Sequence, residues 1–183
     1  MKKLFKLIVP FGLTIILLSC ASSKSASILY SDKYDETHDQ TQVLIYPYGE
    51  VKVPGKWRKT REYQISGQHF FLNKDSISLA VALQPWDKFE FSANNPDITS
   101  ENFVQKFYEW DAFYMKDVSD GELKILKENQ EKNYLIWNLS NNRGLNEYFL
   151  FGLKGKIAFN INISTELWDE QKKIDFLETV YTE

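Results

Sequence analysis

One cysteine, two histidines and a closely spaced carboxylate pair are the side chains best equipped for chemistry, and their placement argues against most of it. A metal site needs His, Cys or carboxylate groups in a cluster. His38 lies in a polar stretch, and His69 precedes Phe70-Phe71 in a strand-like run, where it reads as a surface or capping residue. A nucleophilic triad needs a serine or cysteine beside a positioned base. No Gly-x-Ser-x-Gly occurs, and only His69 stands where it could serve. Glu109 and Asp111 flank Trp110 on a helical stretch, but positions two apart do not face each other, and the polar side of an amphipathic helix is ordinarily charged. Glu166, Asp169 and Glu170 suit the positive end of the helix they open. The eight glycines are scattered at turns rather than gathered in a phosphate loop. Asn138-Leu139-Ser140 and Asn162-Ile163-Ser164 match glycosylation sequons but fall within strand-like segments, and both are discounted. Nothing here implies a catalytic centre, a cofactor or a metal, and the chain is read as a non-enzyme.

The cysteine has a different use. Lys2, Lys3 and Lys6 form a basic segment, Leu7 to Leu18 an apolar one, and Ser19 precedes Cys20. That apolar run has signal-peptide length and is too short for a membrane-spanning helix, which needs about 20 residues. Leu17-Leu18-Ser19-Cys20 resembles the lipobox of bacterial lipoproteins. The resemblance implies lipidation of Cys20 on sulfur, removal of residues 1–19 and acylation of the new amino terminus. Two or three acyl chains, palmitate among them, would hold the protein to a membrane, where one chain holds only marginally. Ala21-Ser22-Ser23-Lys24 carries neither an aspartate after the cysteine nor an acidic run. The expected location is therefore the bacterial cell envelope, on the outer membrane and facing the periplasm.

Loss of residues 1–19 removes three lysines and no acids, moving the formal net charge from −3 to −6. An acidic surface suits neither nucleic acid, which needs cations to replace phosphate counterions, nor a polybasic grip on anionic lipid. With Cys20 committed to lipid, no disulfide forms, and stability rests on an apolar core that a chain of this length can supply. Residues 20–42, polar and rich in serine near the start, are expected to be the lipidated cysteine and a flexible tether. Residues 43–183 are expected to fold as a single globular domain.

Within that domain, Val43 to Tyr46 and Trp57 to Tyr63 read as strands, with a turn at Pro54-Gly55. Gln68 to Leu72 and Ser76 to Leu83 flank the turn Asn73-Lys74-Asp75. In the second arm, Ile77, Leu79, Val81 and Leu83 alternate with small residues, the mark of a strand covered on both sides. Thr99 and Ser100 offer caps for a helix in which Phe103, Phe107, Trp110 and Tyr114 share one face. Phe103, Phe107 and Trp110 are expected to pack on Ile157, Phe159 and Ile161 or their neighbours. Four further strands follow, about Leu123 to Lys127, Asn133 to Ser140, Glu147 to Leu153 and Lys156 to Ser164, the last two joined by a tight Lys154-Gly155 turn. A second helix, about Leu167 to Tyr181, closes the chain. Strands, helix, strands, helix without βαβ alternation predicts an α+β fold with an antiparallel sheet flanked by two main helices.

Val51-Lys52-Val53-Pro54-Gly55-Lys56-Trp57, followed by hairpin strands, an aromatic helix, a meander and a terminal helix, resembles the PsbP-like family. The resemblance covers about Val43 to Glu183 and implies an α/β/α sandwich. Members include photosystem extrinsic subunits, a nuclear-transport cofactor and envelope lipoproteins, mostly binding or assembly factors without a shared catalytic motif. Fold alone does not assign function. The leading expectation is a membrane-anchored, non-catalytic lipoprotein that binds or helps assemble a protein partner in the envelope. Two rivals stand beside it: an immunity lipoprotein whose acidic surface neutralises a toxin, and a carrier of a small apolar ligand between sheet and helix. Recognition residues are sought in the loop Gln84 to Phe91, where Trp86, Phe89 and Phe91 sit among charges. Exposed, they would be partner-binding anchors; folded back, they would plug the end of the sheet.

Overall fold

The computed structural model describes residues 28–63 and 66–183, so Cys20, the leader and residues 20–27 of the expected tether lie outside the described residues. In chain order the elements are β1 (Ile28–Asp35), β2 (Gln40–Tyr46), β3 (Gly49–Pro54), β4 (Trp57–Tyr63), β5 (Gln68–Asn73), β6 (Ser78–Pro85), α1 (Phe103–Ser119), β7 (Glu122–Asn129), β8 (Tyr134–Ser140), β9 (Asn146–Lys154), β10 (Ile157–Ser164) and α2 (Glu170–Thr182). β1, β2 and β3 form a small sheet. The other strands form one seven-stranded sheet in the order β4-β5-β6-β10-β9-β8-β7, every neighbouring pair antiparallel. The fold is α+β.

Alternation along the central strands divides the core in two. Leu79, Val81, Leu83, Ile136, Leu150, Phe159, Ile161 and Ile163 face a layer made by α2 and the small sheet, whose Val43, Ile45, Val51 and Val53 join them. Leu135, Trp137, Leu139, Phe149, Phe151 and Ala158 face α1. Ala80 and Ala82, opposite the large residues of β6, are buried as well, so that strand is covered on both sides. Each large apolar side chain buried this way stabilises by about 1.5–3 kcal/mol. α2 begins at Asp169, whose carboxylate accepts from Lys172 N at 2.8 Å, and it buries Ile174, Leu177, Val180 and Tyr181. α1 ends at Asp120 in the left-handed region (φ 53°), followed by Gly121.

Several expectations are corrected. Residues 28–42, assigned to a tether, include all of β1 and the start of β2, and β1 pairs with β2 from Ile28↔Tyr46 to Asp35↔Gln40 with one register shift between Leu29 and Ser31. The polarity of Ser31 to Gln42 conceals a strand at the outside of a sheet, where pairing comes from backbone groups and side chains can face water. The hairpin turn is fastened by Asp35, which accepts from Thr37 N at 2.9 Å. α1 starts at Phe103, and Thr99 and Ser100 lie in the preceding turn, where Thr99 O accepts from Phe103 N. α1 packs on β7, β8 and β9, and from β10 Ala158 joins the same core layer. Ile157, Phe159 and Ile161 point to the other layer.

Candidate functional site

The loop after β6 turns back on α1. Trp86 to Lys88 form a single 3-10 turn, and Ser92 Oγ donates to the carbonyls of Trp86 and Phe89. Phe89 is buried, with its ring 4.5 Å from that of Phe107. Half-buried Phe91 stacks on Phe103 at 5.4 Å, and Trp86 meets Phe103 edge-on at 5.7 Å. The loop therefore puts the rings of Trp86, Phe89 and Phe91 into packing, and they plug that end of the α1 layer.

This loop also decides which part of α1 stays bare. At about 100° per residue, Phe103, Phe107, Trp110 and Tyr114 do share a face, but the sheet meets the helix on an adjoining face through Val104, Tyr108 and Ala112. The loop covers only the first part of the aromatic stripe. Phe103 and Phe107 are buried, whereas Trp110 is 41% exposed, Phe113 50%, Tyr114 67% and Val118 69%. These four follow one another at helical spacing and form a continuous apolar surface along the second half of α1. Trp110 is anchored on its inner edge by Phe91, 5.4 Å away, and Phe113 by Tyr108, 5.9 Å away. The sequence turned Trp110 inward, set Tyr114 on the same helical face, and did not single out Phe113 or Val118. The signal present was an aromatic stripe wider than one face can bury.

The other candidates resolve separately. Glu109 pairs with Lys106 at 2.8 Å, and that hydrogen bond holds its carboxyl below the usual range. Asp111 turns toward the sheet side of α1, and burial pushes its carboxyl up to about 6. The two carboxylates are thus not a working pair. His69 is buried rather than superficial, a correction that follows from period two: it shares a face of β5 with Phe71. Its Nδ1 lies 3.6 Å from Glu62 Oε2, Glu62 pairs with Lys59, and burial lowers the imidazole pKa. His38 sits in the β1–β2 turn with Nδ1 2.7 Å from Asp35 Oδ2. Asn138 donates to Asn146 and to Glu147 O, and Asn162 donates to Glu147 and Tyr148 O, so both sequon side chains are engaged within the sheet. Among the described residues, no three His, Cys, Asp or Glu side chains are grouped to hold a metal ion, and no helix is long and apolar enough to cross a membrane.

These features define an α+β sandwich bearing an exposed aromatic helix face. No protein-family profile and no curated protein matches the chain. Among solved structures it is similar to the solution structure of cyanobacterial PsbP (CyanoP) from Synechocystis sp. PCC 6803. The match has 15% sequence identity and a TM-score of 0.42, and it covers 90% of this chain and 95% of that one.

Proposed function

We propose that this chain is a lipid-tethered, non-catalytic module of the bacterial envelope that binds a protein partner through the second half of α1. The observation carrying this reading is the run Trp110, Phe113, Tyr114 and Val118, all exposed on one helix face. Contiguous exposed apolar patches mark interaction sites, and Trp and Tyr are the side chains that most often dominate interface energy. The helix is held rigidly from behind: Phe107 stacks on Phe151 at 4.1 Å, and Tyr108 meets Trp137 at 5.6 Å. A partner would therefore meet a preorganised surface, which lowers the ordering cost of binding. The tether half of the proposal rests on the leader and Cys20.

Affinity capture of the full chain from its native membrane tests both halves. Wild type should bring down a stoichiometric partner, and Phe113→Glu/Tyr114→Glu should lose it while melting at nearly the same temperature, since exposed substitutions cost within about 0.5 kcal/mol. A basic toxin as the captured protein would specify the immunity reading. Capture undiminished by the double substitution would refute the helix face. Cys20→Ala should move the protein from the membrane pellet to the soluble fraction or stall its processing. Wild type that takes up no fatty-acid label would remove the tether.

A further inference from the structure

A cleft of about 810 Å³ opens on the opposite face of the molecule, where α2, the small sheet and the β5–β6 turn meet. Its floor is aromatic. Gly55 lies in the link between β3 and β4 at φ +85°, a conformation that favours glycine. Around it the backbone is locked: Gly55 N donates to Asp39 O at 2.7 Å, and Thr41 Oγ1 donates to Gly55 O at 2.8 Å while accepting from Trp57 N at 2.9 Å. Trp57 Nε1 donates to Pro54 O at 2.7 Å, so the buried indole has its one polar group satisfied and its orientation set. Phe176 of α2 lies 5.7 Å from Trp57, and Trp168, just before the helix, meets Phe176 at 5.1 Å. Trp168 and Phe176 are only half-buried and turn part of their surface to the cleft.

The rim is cationic. Lys56, Arg58, Lys74 and Lys172 line the cleft, against two acids, Asp39 and Asp75. None of the four cations forms an ion pair among the described residues, whereas Lys59, Lys106, Lys124 and Lys127 are each paired with a glutamate. Asp39 is occupied by the Tyr34 hydroxyl at 2.7 Å. The acids at the start of α2 are occupied too: Asp169 caps Lys172 N, and Glu170 pairs with Lys124. Lys56 Nζ lies over the Tyr34 ring at 5.1 Å and Lys172 Nζ over the Trp168 ring at 4.7 Å, so ammonium groups sit at the edge of the aromatic floor. An unpaired basic cluster of this kind is out of keeping with a chain whose formal net charge is −3.

We propose that this cleft binds a small organic anion, an apolar or aromatic body bearing a carboxylate or phosphate. The rings of Trp57, Trp168 and Phe176 would take the body, and Lys56, Lys74, Lys172 and Arg58 the charge. The volume lies within the range of about 300–1,000 Å³ typical of small-molecule sites, and an apolar lining with a few convergent polar groups is their usual make-up. Charge sets the discrimination. An organic cation of the same shape gains the aromatic contacts but meets four like charges, and a neutral one gains only the contacts.

Three probes that share one ring, indole-3-acetate, indole and tryptamine, separate these contributions by calorimetric titration of the full lipidated chain in nanodiscs. Indole-3-acetate should saturate below about 1 mM, at least tenfold more tightly than tryptamine, with indole between them and the preference shrinking as salt rises. Lys74→Glu/Lys172→Glu should reverse the order, and its melting temperature should stay near that of wild type because both side chains are exposed. Phe113→Glu/Tyr114→Glu should leave all three affinities unchanged, which keeps this site distinct from the helix face. Equal binding of the three probes, no binding of any, or an unchanged order in the charge-reversed chain would overturn the assignment.

Discussion

Phe107→Ala tests the packing that holds α1 to the sheet. The Phe107 side chain is buried, and its ring stacks on Phe151 of β9 at 4.1 Å with 13° between planes. It also touches the rings of Phe89 at 4.5 Å and Phe103 at 5.6 Å. Truncating a large core aromatic costs about 3–5 kcal/mol, and a stacked pair is worth about 0.5–1.5 kcal/mol beyond its area. The site cannot collapse easily, because Phe89, the nearest filler, sits in a loop fixed by Ser92. A loss near 4 kcal/mol follows, a large part of a typical 5–15 kcal/mol stability. Urea unfolding should show the midpoint falling by about 2 M at unchanged slope, taking a slope near 2 kcal/mol/M. Tyr114→Ala, from the same stripe but exposed, should cost less than about 0.5 kcal/mol. If Phe107→Ala loses less than about 1.5 kcal/mol, or Tyr114→Ala loses as much, then the loop and the sheet do not cover the stripe as described.

Two further substitutions probe other links. Asp111 has its folded pKa raised from 3.8 to about 6 by burial, so its contribution is fully present below pH 3.8 and is lost as pH rises through about 6. Asp111→Asn should therefore stabilise by about 1–3 kcal/mol at pH 7.5, solvent screening favouring the lower end, and should give no gain at pH 3.5; a gain that ignores pH in thermal melts would reject the burial account. At Gly152 a Cβ would lie 2.7 Å from Tyr181 Cζ and 3.0 Å from its hydroxyl, closer still to Cε2, and that buried ring is held by its hydrogen bond to Lys132 O at 2.9 Å. Gly152→Ala should cost about 1–3 kcal/mol of overpacking, partly offset by a stiffer unfolded chain, and lower the melting temperature by about 2–8 °C; an unchanged melt would mean that the ring gives way freely.

The amino-acid sequence by itself determined the elements whose signal is local. Leu135, Trp137 and Leu139, and likewise Ile157, Phe159, Ile161 and Ile163, alternate because a strand turns every second side chain to the same face. Lys154-Gly155 marked its hairpin because Gly155, at φ +59°, needs the left-handed region. Those patterns state that a face is covered without stating by what. Only the tertiary structure decided that β8 and β9 turn Trp137 and Phe151 to α1 while β10 turns Phe159 and Ile161 to α2. It made a paired strand of residues 28–35, of which Ser31 to Asp35 are polar apart from Tyr34, since backbone bonding leaves no trace in side-chain type. It buried His69 beside Glu62, and it left Tyr114 in water because a loop of limited length covers only the first part of the α1 stripe. The cleft lay furthest from view. Tyr34, Trp57, Lys74 and Phe176 come from four separate elements and turns, and no periodicity along a chain records which distant side chains will meet.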